Sequence, residues 1–254
     1  MVQNKAASFF IGFLILFSIY HLPEFFSAFW LMAICKIGFL VIAYLLAKAQ
    51  GWQELNGYGL SFKGKWITNL LAGLLFGTIF FTVAFGLSII LGYEKIASVN
   101  SISVLIGQLP FILLMTAIPS IAEDILTRGY LYAHTSKFLK TFVWILLSSV
   151  IYVLNHIWRL DDGLAVLCYL FLLGMVLAYA VWITKSLWLA FGIHWGANIA
   201  FECTNTAVST ITSGTTNTSN WILAGIWALL LILLFIARPV KNTSAISTRQ
   251  EYKE

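Results

Sequence analysis

Apolar runs of roughly 17–25 residues recur along this chain with almost no charge inside them, and that length matches a helix crossing the hydrocarbon core of a bilayer. The 254 residues are 60% hydrophobic and only 10% charged, with a mean hydropathy of +0.90. No soluble domain of this size needs so much apolar surface. Backbone groups in lipid must be satisfied internally, so the composition predicts an all-α, polytopic transmembrane bundle. About eight spans can be counted. They are Ser8–Tyr20, Phe25–Ala47, Trp66–Leu91, a span from Val104 to His134, Thr141–Trp158, Leu164–Ile183, Leu187–Cys203 and Trp221–Ala237. Pro110 and Pro119 predict kinks in the fourth. Gly174 and Ala178 in the sixth have the small-xxx-small spacing of a helix contact. Gly92–Ser101 and Thr204–Asn220 read as loops. Residues 1–254 read as a single integral membrane domain, with a polar, disordered cytoplasmic tail over 239–254.

The charges orient these spans. With the N-terminus inside, eleven cations fall on one side: Lys5, Lys48, Lys63, Lys65, Lys137, Lys140, Lys185, Arg238, Lys241, Arg249 and Lys253. Only Lys95 and Arg159 fall on the other, and Lys36 and Arg128 lie within spans. This follows the positive-inside rule and places both termini in the cytoplasm. The net charge of +5 therefore belongs to cytoplasmic loops and implies no nucleic-acid partner. Cys35, Cys168 and Cys203 are scattered through apolar runs and form neither a disulfide framework nor a CxxC metal site. The first run carries Lys5 but no small-residue cleavage site, so it reads as a retained span.

Ile118–His134, IPSIAEDILTRGYLYAH, breaks the apolar pattern. Ionisable groups at this depth are costly and face a protein interior or a wet cavity. On a helix, Asp124 and Arg128 stand at i and i+4 and can pair, whereas Glu123 points about 100° away from Asp124. One carboxylate is then neutralised locally while Glu123 stays free. Two further pairs stand at i and i+4: Tyr152 with His156, and His194 with Asn198. At about 1.5 Å per residue, Glu123, His156 and His194 lie roughly 16, 22 and 12 Å from the inner ends of their spans. Residues 70 positions apart thus share the middle of the membrane. A carboxylate with two imidazoles in a low-dielectric site suits activation of water, and an imidazole with an amide suits stabilisation of an oxyanion. The same trio also resembles a His₂Glu zinc set.

Three segments resemble the motifs of the CAAX-protease and bacteriocin-processing family (CPBP, or Abi) of intramembrane endopeptidases, which includes the type II prenyl-protein protease. Glu123-Asp124-Ile125-Leu126-Thr127-Arg128 is similar to its Glu-Glu-xxx-Arg. Tyr152-Val153-Leu154-Asn155-His156 is similar to Phe-xxx-His, and His194-Trp195-Gly196-Ala197-Asn198 to His-xxx-Asn. The resemblance covers roughly residues 105–200. Asp124 stands in place of the second Glu, and Tyr152 in place of Phe. It implies that Glu123 activates water, that His156 assists, and that His194 and Asn198 form the oxyanion hole, with Asp124 and Arg128 in support. It leaves open whether a divalent metal such as zinc takes part or no cofactor is required.

These readings predict an endopeptidase in a bacterial plasma membrane that cleaves a membrane-associated peptide. Bacteriocin self-immunity and leader or pheromone processing are the roles the resemblance implies. The rival readings are a non-catalytic immunity or scaffold protein that binds a toxin, receptor or kinase, and a transporter relaying protons through Glu123 and the histidines. Nothing in the sequence fixes the oligomeric state. Elsewhere, His21 and Glu24 read as residues of an outer turn without a role. His134 reads as a solvated interface residue, and Lys36 as a cation that snorkels or pairs with a carboxylate.

Overall fold

The computed structural model describes residues 5–26, 28–213 and 217–237. The expected tail over 239–254 lies outside the described residues. Helices dominate. They are α1 (Lys5–His21), α2 (Phe29–Ala49), α3 (Trp66–Ile90), α4 (Ile102–Asp124), α5 (Tyr130–Thr135), α6 (Thr141–Asn155), α7 (Leu164–Thr184), α8 (Trp188–Ala207) and α9 (Thr218–Ala237). A π-helical turn, Ile125–Gly129, joins α4 to α5, so these three pieces form one rod. The rod runs through Pro110 and Pro119 as continuous helix. Six of the helical segments are long and apolar enough to cross a membrane. α6 is apolar but has only 15 residues, and α8 is less apolar because it carries His194, Asn198 and Glu202.

The loops fall on two faces in strict alternation. On one face, the backbone N–H of Leu187 donates to the Gly59 carbonyl at 2.9 Å, tying the α2–α3 loop to the α7–α8 loop. There too, His134 meets the amide oxygen of Gln50 at 3.1 Å. On the opposite face, Trp158 Nε1 donates to Glu24 at 3.2 Å, joining the α6–α7 loop to the α1–α2 turn. Also on that face, β1 (Glu94–Val99) and β2 (Val208–Thr212) pair antiparallel, with a register irregularity between Ile96 and Ser98. This ribbon corrects the expectation that Gly92–Ser101 and Thr204–Asn220 are loops. Backbone groups that leave the helices here find partners in each other, and α8 itself continues to Ala207.

Small residues set the closest helix packing. α3 lies against α8 with glycines facing backbone. A Cβ at Gly77 would stand 2.0 Å from the Ile193 carbonyl oxygen, and one at Gly196 would stand 2.4 Å from the Leu74 carbonyl oxygen. Without a hydrophobic drive between helices in lipid, close van der Waals approach of this kind holds them together. Gly174 does the same for α7 against α6, where a Cβ would meet Ser149 Cα at 3.1 Å. The lipid-facing surface is apolar, and large side chains such as Trp30, Ile34 and Leu71 are exposed on it.

Candidate active site

The polar cluster starts on the rod. Glu123 and Asp124 close α4, and Arg128 lies one π turn later. All three are buried, at 5%, 0% and 0% exposure. The sequence pattern predicts an ordinary helix here, but residues 125–129 are π-helical, a form found mostly as single turns inside α-helices and frequently at functional sites. The widened turn does not separate the ion pair. Arg128 Nη1 still donates to Asp124 Oδ1, and also to Thr127 Oγ1 at 2.9 Å. The guanidinium lies 4.4 Å from the centre of the Tyr152 ring, a cation–π contact.

Glu123 is not free, which corrects the expectation of an unencumbered carboxylate. Its Oε1 accepts a hydrogen bond from Asn155 Nδ2 at 2.8 Å. His156 Nδ1 stands 3.6 Å from the same oxygen, and His194 Nε2 stands 3.5 Å from Oε2. The other nitrogen of His194 faces Asp124 at 3.3 Å. Two carboxylates and one guanidinium leave one negative charge in a buried cluster.

His156 differs from expectation in its backbone. α6 stops at Asn155, and His156 leaves the helix with φ −91° and ψ 53° rather than continuing a span to Trp158. Its ring still packs on Tyr152, with centroids 4.7 Å apart. Its Nδ1 lies 2.8 Å from the Tyr152 carbonyl. A carbonyl only accepts, so Nδ1 carries the hydrogen and Nε2 keeps a lone pair. Asn198 donates to Ser120 Oγ at 2.9 Å, one turn before Glu123, and keeps a second N–H. Glu123, His156, His194 and Asn198 all line one cavity of about 380 Å³.

The cluster extends beyond the residues that the sequence pattern singles out. Because Asn155 donates to Glu123, its Oδ1 accepts, and His21 Nε2 lies 3.0 Å from it. His21 Nδ1 lies 2.6 Å from Glu24 Oε2. Lys36 Nζ reaches the other Glu24 oxygen at 3.4 Å and the Tyr20 carbonyl at 3.0 Å. His21 and Glu24 thus belong to a chain of contacts that ends on Glu123, and Lys36 pairs with Glu24. His134 is half-buried against Gln50 rather than solvated. At the cavity mouth, burial disfavours the charge of Arg159. Tyr169 and Asp162 outweigh that and hold its pKa above the ordinary value, so it is a fixed cation.

Among the described residues no three His, Cys, Asp or Glu side chains converge to hold a metal ion. The Nδ1 of His156 that faces Glu123 is bound to a carbonyl and carries its hydrogen, so it offers no lone pair there. As arranged, the trio does not fit a zinc centre.

Residues 105–200 match the family model described as Rce1-like, type II CAAX prenyl endopeptidase. This match supports the CAAX-protease family. The matched segment contains Glu123, His156, His194 and Asn198, whereas His21, Glu24 and Lys36 lie outside it. The family is one of proteases, so the match supports peptidase activity in a multi-pass membrane protein. A search of curated proteins found no match.

Proposed function

We propose that this chain is an intramembrane endopeptidase that hydrolyses a peptide bond in a membrane-associated peptide. The observation that carries the reading is the buried carboxylate of Glu123, held between His156 and His194 on the wall of a polar cavity. Glu123 takes a proton from water, and the oxygen attacks the scissile carbonyl carbon. The carbonyl oxygen becomes an oxyanion, which the free N–H of Asn198 and the imidazole of His194 stabilise. The C–N bond then breaks, and the proton on Glu123 passes to the leaving amine, with His156 held beside the carboxylate. Asp124 and Arg128 hold His194 in place. A bacterial plasma membrane, and a role in bacteriocin self-immunity or leader-peptide processing, fit the same reading.

The test compares wild type with Glu123→Gln and Glu123→Ala at matched expression, with and without a chelator. Loss of a general base lowers the rate by about 10²–10⁴-fold. The expected result is that loss in both variants and no effect of the chelator. Wild-type cleavage by Glu123→Ala sinks the peptidase reading.

A further inference from the structure

The cavity that holds Glu123 is bounded unevenly. Its rim is built from Glu94 and Thr210 of the β-ribbon, Asn205 of α8, Ser219 and Asn220 of α9, and Arg159. These all lie on the face opposite the lysine-rich loops. None of its lining residues comes from the loops carrying Lys48, Lys63, Lys137 or Lys185. The length of α6 gives the physical reason. Its 15 residues span about 22 Å, short of a core about 30 Å thick. Starting from the basic face, α6 ends beside the active site, and the chain turns at His156 before it reaches the far surface. The space above that turn is the vestibule.

We infer that the site takes its substrate from the face opposite the basic loops, as an extended peptide displayed on, or exported to, the non-cytoplasmic side. This rests on the peptidase reading above. Positive loops stay in the cytoplasm, so the mouth faces away from it. The rim chemistry suits the same substrate. A two-stranded ribbon presents strand edges, which bind extended backbone by added hydrogen bonds whatever the side chains are. Glu94 and Thr210 lie on that ribbon and on the cavity wall at once, so a paired peptide runs toward Glu123. Deeper in, Phe81, Phe85 and Leu223 line the wall and suit an apolar anchor.

Cysteine labelling tests this without any need for turnover. In a background with Cys35, Cys168 and Cys203 replaced, Asn205→Cys marks the rim and Ala197→Cys marks the deep wall, where exposure is 5%. Lys137→Cys marks the basic face. A charged, membrane-impermeant methanethiosulfonate is added to intact cells and to permeabilised cells. The expected result is reaction at Asn205→Cys and Ala197→Cys in intact cells, with Lys137→Cys reacting only after permeabilisation. Asn205→Cys is a surface change and reports the face even if the deep variant folds poorly. Reaction of Asn205→Cys only after permeabilisation overturns the inference. So does failure of a folded, membrane-inserted Ala197→Cys to react in intact cells. Labelling proceeds equally in a Glu123→Ala background, so sidedness and peptidase chemistry fail independently.

Discussion

Asn155 touches Glu123 with one end of its amide and His21 with the other. That placement fixes which way the amide points, and it makes Asn155 a positioning residue for the carboxylate. A hydrogen bond to a charged group contributes about 1.5–3 kcal/mol. If the bond tightens as Glu123 releases its proton late in the reaction, Asn155→Leu lowers kcat by about 10- to 100-fold while KM stays nearly constant. Asn155→Asp is worse, because it sets a second carboxylate against Glu123. Steady-state kinetics on purified protein, beside its thermal unfolding, checks this. A fall in Tm with unchanged kcat would make the contact purely structural. The convergence of Glu123, His156 and His194 was legible in the sequence. Spacing at i and i+4 and depth along each span place Glu123, His156 and His194 in one layer, and the structure brings both histidines to within 3.6 Å of Glu123. Asn155 sits beside His156 and could have been flagged as an intramembrane amide, a costly group at that depth. Its partner His21 could not, since the two are 134 residues apart and no periodicity links them.

Whole helices hold those side chains at their distances, and α8 is the element on which most depends. His194 lies between Gly192 and Gly196, whose hydrogen faces press on α3 at Leu70 and Leu74. Gly77→Ala puts a methyl group into the Ile193 carbonyl, and backbone must move to admit it. Overpacking of this kind costs about 1–3 kcal/mol, and here it also displaces His194. The expected outcome is a lower Tm in detergent together with loss of cleavage. Gly86→Ala, on the same helix, meets nothing within 4 Å and serves as the control, with stability unchanged or raised by up to about 1 kcal/mol. Equal effects of the two changes would show that α3–α8 contact is not what positions the site. The Gly-xxx-Gly spacings at 73/77 and 192/196 are visible in the sequence and carry the same signal as Gly174 and Ala178. The π turn and the β-ribbon are not legible in that way. A π turn follows from how the rod is packed, including Gly129 against the Tyr58 carbonyl, and the ribbon pairs segments more than 100 residues apart.

Over the whole molecule, the all-α, multi-helix architecture follows from the apolar runs, and six of the helices among the described residues are long and apolar enough to cross a bilayer. The uneven lengths of the crossings carry a consequence for function. α3 has 25 residues and α6 only 15, yet both present apolar side chains to lipid, among them Phe142, Val150 and Leu154 on α6. A helix about 22 Å long in a core about 30 Å thick is matched by thinning of the bilayer around it. The vestibule lies above the end of α6, where the exposed Trp158 packs on Phe25 with ring centroids 5.4 Å apart. Lipid thickness therefore acts on the mouth of the site. In proteoliposomes, lengthening the acyl chains from about 14 to about 22 carbons raises the cost of that thinning, by fractions of a kcal/mol per Å of mismatch. The expected outcome is a severalfold fall in cleavage rate with the cysteine-labelling rate of Ala197→Cys falling in parallel, because hydrocarbon closes over the vestibule. A cleavage rate that is independent of chain length would mean that the protein alone, through the ribbon and the α1–α2 turn, keeps the mouth open.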